Sequence, residues 1–202
     1  MTYVNAGSLV DTAWVADHLD DPNVRILDGS YHLAATGRNG KAEYQEAHIP
    51  GTIHFDIDAV CDPAPTPSPH MFPSADDFSA AVGAMGISND QRVIVYDADG
   101  LFSAPRVWWM FRAFGHENVA VMTGGFRKWQ AEDRPVTADI PSFAAATFSA
   151  SLDETKLRSI AQIQANIEST EELVLDARAA NRFDGSQPEA RPGVEPGHIP
   201  GS

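Results

Sequence analysis

The sequence predicts an α/β protein, a parallel sheet flanked by helices, built as one complete domain and the beginning of a second of the same kind. Three observations carry this. Short apolar runs at Val24-Arg25-Ile26-Leu27, Val93-Ile94-Val95-Tyr96, Val119-Ala120-Val121-Met122 and Leu173-Val174-Leu175 read as strands. Helical stretches separate them, and strands that alternate with crossover helices pair in parallel. Finally, the opening helix and strand recur late in the chain.

Taken in order, Asp11-Thr12 caps a helix running to about Leu19, with Trp14, Val15 and Leu19 apolar. After the first strand, Pro63, Pro65, Pro67, Pro69 and Pro73 crowd a stretch that reads as stiff loop, since proline cannot serve a helix interior or a central strand. Ser74 opens a second helix, where Phe78, Ala81, Val82 and Met85 keep helical spacing until Gly86 ends it. Ser103 is placed to cap a third, with Pro105 tolerated in the first turn. That helix, Ala104 to about Phe114, carries Val107, Trp108, Trp109, Met110, Phe111 and Phe114, apolar on nearly every side, and should be buried. From Asp133 to Asp153 the chain has Pro135, Pro141 and no period, as a linker would.

The repeat fixes the domain plan. Leu9–Asp28 and Leu157–Asp176 align without a gap at an offset of 148 residues, each a helical segment leading into a strand that ends Leu-Asp. His48-Ile49-Pro50-Gly51 follows the first strand, and His198-Ile199-Pro200-Gly201 follows the second. The chain therefore reads as a tandem duplication: a complete domain over 1–138, a linker over 139–155, and the start of a second domain over 156–202. The strand that ends Tyr96-Asp97 comes 46 residues after Gly51, and the same interval after Gly201 runs past Ser202. A half-built sheet exposes apolar surface, so another polypeptide, or more of this one, is expected to complete it.

Composition narrows the function classes. Apolar residues make up 43% of the sequence, enough for a packed core. The formal charge of −14, from 14 basic and 28 acidic residues, argues against a nucleic-acid or anionic-membrane surface, which needs clustered Lys and Arg. No apolar run approaches the roughly 20 residues of a membrane helix, and the N-terminal residues show no signal-peptide pattern. With one cysteine, Cys61, there is no intrachain disulfide. A cytoplasmic, reducing compartment is the expectation.

Asp97-Ala98-Asp99-Gly100-Leu101-Phe102-Ser103-Ala104-Pro105-Arg106 joins a buried strand to a helix. The carboxyl end of a parallel strand, facing a helix N-terminus, is where α/β proteins place anion sites and nucleophiles. A cysteine there would be acidified by the surrounding amides, but the residue is Asp97, whose plainest role is a cap. Cys61 lies in a Cys-Asp-Pro loop without an evident activating base, and catalysis by it is not expected. His48, His54, Asp56 and Asp58 fall within metal-ligand spacing. However, His48 recurs as His198 without acidic partners, so a structural turn with the histidine bonded to backbone explains it better than a metal.

Val93–Asp97, the run Ser103-Ala104-Pro105-Arg106-Val107-Trp108-Trp109-Met110-Phe111-Arg112-Ala113-Phe114-Gly115-His116 and Gly124-Gly125-Phe126-Arg127-Lys128-Trp129 resemble the first domain of the rhodanese and 3-mercaptopyruvate sulfurtransferase family. The resemblance runs from about Leu9 to Ser202. It implies two rhodanese domains, the first non-catalytic and the second supplying a nucleophilic cysteine, which would lie beyond Ser202. It also implies sulfur transfer through a persulfide, from a small anionic donor, 3-mercaptopyruvate or thiosulfate, to a thiol or cyanide acceptor, with no cofactor or metal. By the same resemblance Arg182 binds the donor's anionic group, and Arg191 marks the mercaptopyruvate type by holding the carboxylate. Arg178 reads as structural. Asp58 and His70 match positions thought to support the nucleophile, where a histidine titrating near neutrality can move protons. Alone, this chain is expected to be inactive, and the expected partner is the remaining C-terminal part of the same enzyme. The alternative is a non-catalytic rhodanese module that binds or regulates.

Overall fold

The computed structural model describes residues 6–64, 70–189 and 193–202, and the chain divides into two compact units, Met1–Asp153 and Glu154–Ser202. The first holds a five-stranded sheet in the order β1-β5-β4-β2-β3, every pair parallel. Its strands are β1 (Leu9–Val10), β2 (Val24–Asp28), β3 (Ile53–His54), β4 (Arg92–Tyr96) and β5 (Val119–Met122). The three longer ones are those the apolar runs predict. Two-residue strands such as β1 and β3 leave no periodic signal, and only neighbouring backbone defines them.

Both faces of the sheet are buried, which is why its strands read as continuous apolar runs. Alternate residues serve opposite faces. Val93 and Val95 join Leu27, Val119 and Val121 on one side, packed by α3 (Ala75–Ala84) and α4 (Ala104–Ala113) through Phe78, Val82, Val107, Met110 and Phe111. Ile94 and Tyr96 join Ile26, Ala120 and Met122 on the other, under α1 (Thr12–Asp17) and α5 (Gly125–Ala131) through Val15 and Trp129. Asp11 and Ser74 cap α1 and α3 by accepting the Trp14 and Asp77 amides. The first helix stops at Asp17, short of Leu19, where the His18 amide bonds the Val15 carbonyl and tightens the turn. Two helices lacked an apolar stripe to announce them: α5, and the polar α2 (Gly40–Glu46) capped by Asn39.

The segment expected as a linker, 139–155, is held by the first unit over most of its length. Phe148 is buried against Phe78, Phe111 and His116. Backbone bonds run from Ala146 to Gly83, Ser151 to Phe114 and Asp153 to Ala113, and Asn89 pairs twice with Ser149. An aperiodic sequence with prolines is compatible with an extended strap as well as a free tether, and one buried aromatic decides between them.

In the second unit α6 (Ile160–Ser169) starts at a full capping box, Ser159 with Gln162, and α7 (Ala180–Phe183) follows. The predicted strand Leu173–Leu175 is a correction: these residues lie in no strand, and Leu173 and Leu175 are 83% and 81% exposed. A strand exists through hydrogen bonds to a neighbour, and among the described residues none lies beside this one. Val174 and Leu175 border a concavity of about 810 Å³ with Ile160, Ile163, Ile167 and Ile199.

Candidate functional site

At the carboxyl end of β4 the Asp97 side chain is 1% exposed and surrounded by amides. Its Oδ1 accepts from Asp99 (3.1 Å) and Gly100 (2.5 Å), and its Oδ2 from Phe102 (2.8 Å), Ser103 (2.7 Å) and Ala104 (2.8 Å). Five N–H donors, two of them at the start of α4, converge on one carboxylate in a nest-like cradle. Charge-assisted bonds of this kind are the stronger class. Ser103 stands at the cap position, but its hydroxyl makes no cap bond and instead accepts the Tyr31 amide at 3.1 Å; the Asp97 carboxylate takes over the capping. Gly125 closes the loop from beneath, because a Cβ there would fall 2.3 Å from the Asp97 carbonyl oxygen.

Asp58 and His70 are brought together. His70 Nε2 donates to Asp58 Oδ1 at 2.5 Å, leaving the histidine side chain mostly covered and the carboxylate mostly open. His70 has φ 63, a left-handed conformation that costs a non-glycine residue about 1 kcal/mol or more and persists only where surroundings impose it. Among the described residues three contacts do so: the Asp58 bond, the edge of the Tyr31 ring (centroids 5.2 Å, 76°), and the Arg106 guanidinium donating to the His70 carbonyl oxygen. Arg106 also lies over the Phe72 ring at 5.6 Å. Beside the pair, Tyr31, Arg38, Lys41, His54, Asp56 and Asp58 line a polar pocket of about 150 Å³.

Beneath this pocket the β-ladder sets Asp28 beside both His54 and Tyr96. Burial pushes the Asp28 carboxyl up and the His54 imidazole down, both toward neutral forms. Burial, reinforced by Asp28, raises the Tyr44 phenol to about 12. The buried Asp28 cluster was not singled out from sequence, and the only sign of it was an aspartate closing an apolar strand. Arg106 and Tyr31 were missed as parts of the site, although Arg106 lies in the most distinctive motif of the chain.

In the second unit Arg182 donates to Glu189 at 2.5 Å, while its Nε is buried without a hydrogen-bond partner among the described residues. Arg178 binds Asp176 through three side-chain bonds, Glu189 at 2.7 Å and the Gly197 carbonyl at 2.7 Å, and so knits this loop together. Its guanidinium holds the Asp176 carboxyl down at about 2. Arg191 lies outside the described residues, as do Pro65, Pro67 and Pro69. Cys61 donates its thiol to the Asp58 carbonyl at 3.1 Å.

The two His-Ile-Pro-Gly turns have matching geometry. Thr52 N bonds Ile49 O at 3.2 Å with Gly51 at φ 75, and Ser202 N bonds Ile199 O at 3.0 Å with Gly201 at φ 84. Both follow the type II pattern, which needs positive φ at its third position. His48 Nδ1 meets the Tyr44 carbonyl at 2.6 Å and the ring stacks on Tyr44; His198 Nδ1 meets the Phe183 carbonyl at 2.8 Å and stacks on Phe183. The His48 Nε2 faces the Asp139 carbonyl at 3.2 Å, so both ring nitrogens are turned to backbone.

Comparison with known proteins agrees with this architecture. The rhodanese-like domain family matches residues 11–132. The 3-mercaptopyruvate sulfurtransferase of Rattus norvegicus is 44% identical over 201 residues, covering 96% of this chain and 67% of the relative. The thiosulfate sulfurtransferase of Bos taurus is 44% identical over 202 residues with the same coverage. A crystal structure of a 3-mercaptopyruvate sulfotransferase from Escherichia coli superposes with a TM-score of 0.85 at 34% identity, covering 96% of this chain and 72% of that one. With its parallel sheet, its strand-end loop and relatives of this closeness, the chain belongs to the rhodanese family of sulfurtransferases.

Proposed function

We propose that this chain is the non-catalytic first domain and the start of the catalytic second domain of a sulfurtransferase. The enzyme moves a sulfane sulfur from 3-mercaptopyruvate or thiosulfate to a thiol or cyanide acceptor through a cysteine persulfide. The observation that carries the reading is Asp97. At the strand-end position that suits a nucleophile, a carboxylate takes all five amides, and the one thiol of the sequence, Cys61, is bonded to a carbonyl elsewhere. The persulfide-forming cysteine is therefore assigned to a segment not included in this chain, which would also supply strand partners for Leu173–Leu175 and cover the apolar concavity beside them.

In this reading His70, oriented by Asp58, moves a proton at the donor carbonyl or acceptor thiol. Arg182 and Arg191 hold the anionic donor, for which a planar guanidinium is well suited, and the buried, unpartnered Nε of Arg182 supports that role. The reducing setting implied by a single cysteine makes the cytoplasm the proposed location. Kinetics of the complete enzyme test the assignment. Cys61→Ser should retain turnover, and Arg191→Ala should raise KM for 3-mercaptopyruvate more than for thiosulfate. Equal effects on both donors would remove the mercaptopyruvate preference, and loss of turnover in Cys61→Ser would overturn the nucleophile assignment. Asp97 in place of a cysteine also favours a second reading, a binding or regulatory rhodanese module, for the chain acting alone.

A further inference from the structure

We infer that the loop from Asp97 to Arg106, which carries no nucleophile, works as the template that positions the Asp58–His70 pair, with Arg106 as the positioning residue. The inference rests on the proposed role of that pair in proton transfer. The chain of contacts is continuous. Five amides on the Asp97 carboxylate fix the loop and the first turn of α4. From that fixed turn Ser103 Oγ accepts the Tyr31 amide, and the Tyr31 ring stands edge-on against His70. One turn along α4, Arg106 donates to the His70 carbonyl and covers Phe72, the second residue after His70. Phe72 in turn packs on Phe114 at the far end of the same helix (5.7 Å).

Among the described residues these contacts and the Asp58 bond together hold His70 at φ 63, and a histidine released from that conformation turns its Nε2 away from Asp58. The Ser-Ala-Pro-Arg turn thus gains a physical meaning: Arg106 reaches the His70 carbonyl directly, and Ser103 reaches the amide of Tyr31, whose ring meets His70. Ala104 contributes an amide to Asp97, and Pro105 lies in the first turn of α4, where a missing N–H costs nothing.

The test uses the 202-residue chain and the imidazole nitrogen chemical shifts of His70, which report whether Nε2 carries a proton bonded to Asp58. Asp58→Asn sets the reference for a broken pair. Arg106→Met is expected to shift the His70 nitrogens toward that reference with the fold retained, and Arg106→Lys, which keeps a charged donor for the carbonyl, to restore them in part. Unchanged nitrogens in Arg106→Met would overturn the inference, and so would a shift in Arg106→Lys as large as in Arg106→Met, since packing alone would then explain it. Should Arg106→Met fail to fold, Ser103→Ala takes its place, with the same shift expected and an unchanged spectrum overturning the template. If instead Asp58→Asn itself leaves His70 unaltered, the proton-transfer role of the pair fails first. In the complete enzyme Arg106→Met should lower kcat by about tenfold or more while leaving donor KM unchanged.

Discussion

Leu27 and Leu175 occupy the same place in two copies of one sequence pattern, yet the first is fully buried and the second 81% exposed. Around them the local devices coincide at the 148-residue offset. Asp11 and Ser159 cap helices by accepting the amide three residues on. Asp28 and Asp176 each accept the amide two residues on, and, at an offset of 150 residues, both copies reach a type II turn with a stacked histidine. What differs is the sheet. In the first unit β2 lies between β3 and β4, and in the second no described strand is beside Leu173–Leu175. Caps, Asx turns and β-turns need only residues close in sequence, whereas a strand needs a partner from far along the chain. The comparison separates what sequence specifies locally from what only tertiary pairing supplies.

Substitution should break the equivalence most visibly. In chemical denaturation of the 202-residue chain, Leu27→Ala is expected to destabilise the first unit by about 4 kcal/mol. Leu175→Ala should change stability by less than about 0.5 kcal/mol. Comparable effects would mean that the second strand is already packed. Next in size, Phe148→Ala should cost about 3 kcal/mol, because the strap it anchors is part of the first core; a negligible change would return 139–153 to the status of a tether.

Asp97→Asn should cost about 2 kcal/mol, since an amide offers one acceptor oxygen where five donors need two and adds donors of its own. Thermal melts would read this. Unchanged stability would show that the loop does not depend on its resident anion.

The smallest expected effect is a pH dependence. Burial lowers the His116 pKa below its ordinary value, so the native state holds the ring neutral while the unfolded chain takes a proton below about pH 6.5. Its contribution is complete above that pH and lost as pH falls through the folded value. His116→Gln should flatten the fall in stability below about pH 6.5 by about 1 kcal/mol or less. A slope unchanged by the substitution would point to other groups, half-buried His54 first among them.

Much of this was legible in advance, and for identifiable reasons. The longer strands of the first unit declare themselves because both sheet faces are buried, leaving apolar runs without alternation. The capping residues Asp11 and Ser74 act through bonds three residues away, so they too are readable. The strap was not, because nothing in 139–153 shows that Phe148 would meet Phe78, Phe111 and His116. The site divides in the same way. Asp58 and His70 were named through a family resemblance and do meet, but Arg106, 36 residues from His70 in sequence, acts through a backbone carbonyl that no pattern advertises.

On the proposed function, this chain carries a rhodanese scaffold whose own thiol, Cys61, is not the sulfur-accepting nucleophile. Intact-mass spectrometry of the 202-residue chain after incubation with 3-mercaptopyruvate and with thiosulfate tests it directly. An unmodified mass is expected with both donors, with Cys61 still able to react with an alkylating reagent after unfolding. Stoichiometric gain of one sulfur atom at Cys61, discharged by cyanide, would contradict it.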